Sequence, residues 1–350
     1  MSQPIKPSKR DPYIDNARFV LVLLVVFGHL ISPFKYENDV VYFINNFLTS
    51  FRMPALILLT GFFSKKFLDT GYIEKITIRL FVPFLIFQFL YNLDHWQSIN
   101  WLMPSFGLWF LLSLYWWNLL LFIFTKLNKP VVTAIAAGIG IGLVEGAGHE
   151  FSLSRTFVFF PFFILGYYLN KGAFDVFKKE QAKKWGLLSA GLSVIILSLL
   201  PLDITRDFLL GRSSFETMNI GVLEGIGLRG VYYVVMGLGI VAFLPWIPKT
   251  TKPFTIGGRR TAFIYILHLP IMEWMRHNGW GSEFSLLLVC ISLPLAYTIA
   301  TILSQRIITD TAKYVVLGEA IIVFKKLMKQ FPLSWKNYKE KRKTIQTNYS

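Results

Sequence analysis

A single cysteine, Cys290, occurs in the 350 residues, and it sits in an apolar run. An internal disulfide is therefore excluded, and so is any cysteine-based metal or redox motif. Acidic residues are also scarce: 20 Asp and Glu stand against 36 Lys and Arg, a formal net charge of +16. Nucleic acid is the first partner such a balance brings to mind, but that needs the basic residues gathered on one soluble face. Here they are spread through short connections and a tail, so nucleic acid is excluded. The chain has no internal repeat and no low-complexity linker, and no metal is expected.

What is abundant is apolar. Hydrophobic residues make up 54% of the chain and aromatics 17%, more than a soluble domain could cover with polar surface. The chain is read as a multi-pass protein of the cell membrane, an all-α bundle. Ten stretches are candidate spans: 14–34, 41–64, 76–93, 105–124, 130–146, 156–170, 186–202, 226–247, 259–275 and 284–305. They leave a basic N-terminus at 1–13 and a basic, amphipathic tail at 306–350. The first span follows basic residues as a signal peptide would. It is too long for one, however, and no small-residue cleavage site follows, so it is read as retained.

Lys and Arg sort by side. Lys6, Lys9 and Arg10, then Lys65, Lys66 and Lys75, then Lys126 and Lys129, the lysines from Lys171 to Lys184, Lys249 to Arg260, and the tail all fall on alternate connections. The opposite set holds only Lys35, Arg155, Arg206, Arg212 and Arg276. By the positive-inside rule both termini are cytoplasmic. The tail, with Tyr314 to Leu317, Ile321, Ile322, Phe324 and Leu327 as its apolar face, is expected to meet anionic lipid on that leaflet.

Chemistry then has to come from charges inside the bundle. Arg18 and His29 lie eleven residues apart in the first span. At 100° per residue that is about three turns, so they share one helix face roughly 16 Å apart along the axis. Ionisable groups at membrane depth normally face protein or water and point to function. Arg52, Arg79, Arg229 and His268 are similarly placed, with few acids near them in sequence: Asp15 precedes Arg18 by three and Glu224 precedes Arg229 by five. Arg18, Lys75, Arg79, Arg259 and Arg260 would face the cytoplasm, where phosphates of a soluble donor could meet them, with His29 as a base farther across. Trp96, Trp101 and Trp109 read as an interfacial belt or as a stacking platform for a sugar, and His95, His149 and His277 as surface residues.

Several strings carry a family resemblance. Arg, ten residues and His in the first span are followed by SFRMPALILLTGFF at 50–63, KITIRLFVP at 75–83, LWFLLSLYW at 108–116, SRTFVFFPFFILGYYL at 154–169 and IGGRRTAFIYILHLP at 256–270. Over roughly 11–305 the chain resembles the membrane acyltransferase-3 family. The resemblance implies transfer of an acyl group, commonly acetyl, from cytoplasmic acyl-CoA to a hydroxyl on an extracytoplasmic glycan or envelope acceptor. It implies Arg18 and His29 as the essential first-span pair and Arg79 as the second Arg of a basic motif. It likewise marks Arg155 as the Arg that opens the sixth span, with Tyr265 and His268 in the IYxLH motif. Three positions depart from the family pattern: Thr77 replaces the first Arg of an Arg-x-Arg pair, with Lys75 as its substitute for donor phosphate; Arg52 stands where His is common; and Gly107 precedes LWF. Many members carry a soluble domain after the bundle, so this chain is expected to act alone or to hand its acyl group to a separate partner. The alternatives are a secondary transporter, against which the lack of paired halves and acidic partners argues, and a non-catalytic membrane partner of a polysaccharide synthesis or export system.

Overall fold

The computed structural model describes residues 10–93, 99–101, 103–105, 107–148 and 150–323. His95, Trp96, His149, Lys6, Lys9 and the tail from 324 lie outside the described residues. The chain is helical with no strand among the described residues, and each of the ten apolar stretches contains a helix. The elements are α1 (Pro12–Ile31), α2 (Asp39–Phe62), α3 (Tyr72–Ile76), α4 (Val82–Leu90), α5 (Trp109–Phe124), α6 (Pro130–Gly140) and α7 (Leu153–Tyr168). After these come α8 (Glu180–Leu199), α9 (Leu202–Leu210), α10 (Val222–Phe243), α11 (Thr255–Arg259), α12 (Thr261–His277), α13 (Leu286–Leu303) and α14 (Arg306–Val316). Five helical stretches are long and apolar enough to cross a membrane: Pro12–Tyr36, Glu150–Tyr168, Glu180–Leu199, Val222–Trp246 and Leu286–Leu303. The others are shorter or more polar; α2 has the length but carries Asn45, Asn46 and Arg52.

Local chemistry explains several boundaries. Asp11 caps α1, its side chain accepting from the Tyr13 N–H, and Pro12 occupies the first turn, where a missing N–H costs nothing. Asn38 caps α2 and Ser285 caps α13 in the same way. Between α3 and α4 the helix widens into a π turn over Thr77–Phe81. Pro83, just beyond, has no N–H to offer the carbonyl one turn back, and the ladder relaxes around that gap.

Close helix approach depends on small residues, since lipid gives apolar side chains no reason to prefer protein. Gly61 on α2 and Gly166 on α7 mark one crossing. A Cβ on Gly61 would stand 2.0 Å from the Phe163 carbonyl oxygen, and one on Gly166 would stand 2.0 Å from that of Leu58. Just past the crossing Lys65 donates from Nζ to the Tyr167 and Leu169 carbonyls at 2.5 and 2.6 Å, placing a positive charge on the open C-terminal end of α7. Substituting Gly61 with Val should force α2 and α7 apart at a cost of about 2–3 kcal/mol. Thermal unfolding in detergent should show a lowered midpoint, and an unchanged midpoint would mean the helices are free to separate.

One end of the bundle collects the basic connections. Lys178 bridges Asp11 at 2.6 Å, Lys249 bridges Glu180 at 3.3 Å, and Arg10 and Arg259 meet on Asp15 at 2.9 and 3.0 Å. The start of α1 is polar for the same reason. Asn16, fully buried, donates to the Pro248 and Thr250 carbonyls and accepts from the Thr255 hydroxyl, tying the loop before α11 to α1. Gly257 and Gly258 then lie against Phe19 and the Asp15 carbonyl, closer than any larger residue would permit.

Candidate active site

The shared face of Arg18 and His29 points into the bundle, and the two residues meet different surroundings. Arg18 donates from Nη2 to the Thr261 hydroxyl at 2.8 Å and lies over the Phe63 ring at 5.3 Å. Asp15, three residues earlier, is not its partner; that carboxylate is taken by Arg10 and Arg259. The Arg18 Nε has no hydrogen-bond partner among the described residues. It borders a cavity of about 220 Å³ whose walls include Arg79, Leu56, Phe110, Thr261 and Tyr265. Arg79 reaches the cavity from the π turn. Two guanidinium groups therefore stand at an otherwise apolar cavity, an arrangement suited to a molecule with an anionic head and an apolar arm.

The remaining donor-side candidates are placed differently. Lys75 is exposed and does not line this cavity. Arg259 spends its Nε on Asp15, and Arg260 donates from Nη1 to the Ser304 carbonyl at 2.6 Å. Both hold helix ends together. Val316 and Leu317, at the end of α14, complete the cavity wall, and Val316 is only 1% exposed. This part of the amphipathic tail packs into the bundle, with Gly318 against the Ile78 carbonyl.

Farther along α1, the His29 ring lies 5.4 Å from that of His268, centroid to centroid. His268 on α12 is fully buried, and its Nδ1 is 3.0 Å from the Ile264 carbonyl. A carbonyl can only accept, so Nδ1 carries the proton, and in the neutral ring the lone pair is on Nε2. That Nε2 has no hydrogen-bond partner among the described residues. Tyr265, one turn earlier, donates its hydroxyl to the Gly107 carbonyl at 2.8 Å and packs against Phe110. Gly107 thus serves through its backbone, and a Cβ there would strike Leu269.

Arg52 is buried beside this pair, donating from Nη1 to the Leu24 carbonyl at 3.3 Å, with Nε unpartnered among the described residues. It fits only because residue 28 is glycine: a Cβ there would stand 1.5 Å from Nη1. Arg155 stacks on Trp109 at 5.0 Å, and Trp109 lies against Phe159, so this tryptophan faces the bundle and not the lipid belt. The residues just ahead of α7, Phe151 and Ser152, have φ of 49° and 56°. Two consecutive non-glycine residues in the left-handed region cost about 1–2 kcal/mol each, strain that sets the start of the helix carrying Arg155. Arg229 is elsewhere. It is fully buried between Phe208 and Phe215, at 4.8 and 5.7 Å, while Glu224 is exposed and does not reach it.

Beyond the histidines a second cavity, of about 630 Å³, opens at the opposite end of the bundle, lined by Tyr91, Ser105, Leu269, Glu273, Arg276 and His277 among others. α12 lines both cavities, Thr261 to Ile266 on one and Leu269 to His277 on the other, with His268 between them. Thr261 and Arg276 are the site residues that sequence reasoning did not single out; their partners come from distant segments, and no local spacing marks them. Among the described residues no group of three His, Cys, Asp or Glu could hold a metal ion.

The sequence model of the acyltransferase-3 family, described as an acyltransferase domain, matches residues 11–305, and the chain belongs to this family. No curated protein and no solved structure matches it. The protein is a membrane acyltransferase.

The seat of Arg52 can be tested without an activity assay. Gly28→Ala should cost about 1–3 kcal/mol by overpacking. Adding Arg52→Met removes the clashing group, so the double variant should be more stable than the sum of the two single effects. A double-mutant cycle of thermal unfolding measures this, and strict additivity would show that the two residues do not share the space.

Proposed function

We propose that the protein transfers an acyl group, acetyl as the leading case, from acyl-CoA to a hydroxyl of a glycan or other envelope acceptor across the membrane. In this reading the basic end, with both termini, faces the cytoplasm, and all ten helical stretches span. The observation that carries it is the Arg18 and Arg79 cavity at one end, separated by the His29 and His268 pair from a polar cavity at the other. A transporter would want paired acids at midplane, and this site has arginines and histidines in their place.

Arg79 and Arg18 would hold the donor's phosphates and orient its thioester, and the apolar walls would take the arm between them. The nearer histidine takes the proton from the acceptor hydroxyl, and the oxygen attacks the thioester carbonyl. A C–O bond forms, the C–S bond breaks, and the thiolate leaves with a proton returned from the imidazolium. Arg52, buried close to the histidine pair, would offset the charge of the developing oxyanion. The other route takes the acyl group onto His29 itself before transfer, and an acyl-histidine trapped by acid quench separates the two.

Thiol release from acetyl-CoA should be followed with protein in liposomes and envelope glycan as acceptor. Wild type should turn over, and His29→Ala and His268→Ala should each lose about 100-fold or more in kcat. Arg79→Ala should chiefly raise the donor KM. Turnover in neither wild type nor variants, with acetyl-CoA and longer acyl-CoAs alike, would overturn the reading in favour of a transporter or a non-catalytic partner.

A further inference from the structure

The last turn of α1, which carries His29, is held from outside its own helix. At Ile31 the chain tightens into a 3-10 turn over Ser32–Tyr36, with Pro33 near its start. Proline has no N–H, so the Leu30 carbonyl loses the donor that a tightened helix would bring it from three residues ahead. The indole of Trp280 supplies one instead, its Nε1–H donating to the Leu30 carbonyl at 2.9 Å. On the other side of the histidine, the Asn45 amide of α2 donates to the Gly28 carbonyl at 3.0 Å, and Arg206 donates from Nη1 to the Asn45 side-chain oxygen at 3.0 Å. The residues before and after His29 are thus each bonded to a side chain of another segment, 17 and 250 residues along the chain.

Trp280 is itself fixed to α12, the helix that carries His268. Gly279, with φ of 85°, closes that helix in the left-handed conformation that glycine adopts without strain. The Gly279 N–H donates to the Arg276 carbonyl at 3.1 Å and the Trp280 N–H to the Met275 carbonyl at 2.9 Å, the two bonds of a Schellman end. From there the indole packs edge-on to the fully buried Phe34, with ring centroids 6.2 Å apart. Gly281, left-handed at 84°, lies so close to Pro33 that a Cβ would stand 2.1 Å from the proline Cβ. Leu30 is fully buried, and a buried carbonyl without a donor is costly. Its donor comes from the end of the other histidine's helix.

We infer that Trp280 is a positioning residue: its indole N–H, carried on the end of α12, fixes the last turn of α1 and with it the placing of His29 against His268. Its effect on rate rests on the acyl-transfer reading. The two imidazole rings stand 5.4 Å apart on different helices, and a displacement of about 1 Å at a reacting group can cost about 100-fold in rate. At the basic end Arg259 and Asp15 tie the approach to α12 onto α1. The Trp280 bond is the counterpart at the far end, so the histidine pair lies between two fixed points.

Two variants separate the N–H from the ring. Trp280→Phe keeps an aromatic ring and loses the donor; adding Pro33→Ala returns a backbone N–H three residues ahead of Leu30. With protein in liposomes, acetyl-CoA as donor and envelope glycan as acceptor, Trp280→Phe should lose about tenfold or more in kcat. The donor KM should stay within about twofold, since Arg18 and Arg79 are untouched. Backbone hydrogen exchange of the peptide over 27–34 should quicken about tenfold, the value of one lost hydrogen bond. The double variant should recover most of both. Unchanged kcat and exchange in Trp280→Phe, or losses that the double variant does not recover, would overturn the inference and leave Trp280 as packing. A fall in kcat without faster exchange, or the reverse, would overturn it as well, because the turn would not be what places the histidine. A wild type that consumes no acyl-CoA, while exchange still rises and recovers in the variants, would instead overturn the acyl-transfer reading and leave the Trp280 bond standing.

Discussion

The site depends on one buried carboxylate. Asp15 is 1% exposed, and it is tolerable there because Arg10 and Arg259 bring two guanidinium groups to it from either side. Arg259 ends the short helix that leads into α12, and Gly258 lets that segment press against the Asp15 carbonyl. This contact sets the register of α12 on α1. With the register fixed, Thr261 falls beside Arg18 and His268 beside His29. Breaking one member of a buried ion pair leaves an uncompensated charge, so the clamp has little freedom to drift.

Charge in the bundle is handled in three ways. Asp15, Lys65 and Arg260 each bond to partners that hold helix ends, and they account for the basic end as architecture. Arg18, which lines the first cavity, and Arg52 and His268, buried between the two ends, keep polar atoms without a partner among the described residues. A soluble protein would hydrate such groups. In a bundle of Phe, Leu and Val they are costly, and the cost is consistent with a site that waits for a polar or charged occupant. Arg229 is a third case, shielded by the faces of Phe208 and Phe215, an aromatic substitute for a counterion.

Much of this was legible in the sequence, because apolar runs of bilayer length and helical periodicity are local signals. All ten stretches hold helices, and the inward face shared by Arg18 and His29 follows from 3.6 residues per turn. Pairing was not legible. Asp15 stands one turn from Arg18, yet one of the two arginines that hold it, Arg259, comes from 244 residues away. The tail from Lys313 has an apolar face that suits lipid or a protein groove equally, and only the packed chain shows Val316 and Leu317 in the cavity wall. Arg276 looked like an ordinary helix-end charge because nothing in its own segment records what the fold brings alongside.

The π turn at Thr77–Phe81 has a consequence for how this chain tolerates insertions and deletions. A π turn is an α-helix with one residue too many, so removing any one residue there would restore a regular helix without breaking the chain. The repair would turn everything before it by about 100° relative to everything after it. Tyr72 would swing away from Asn118, to which its hydroxyl donates, and Arg79 would leave the cavity. In most helices an irregular ladder marks the place where length can vary freely. Here the surplus residue aims an arginine, so one-residue changes in length should be among the least tolerated in the bundle.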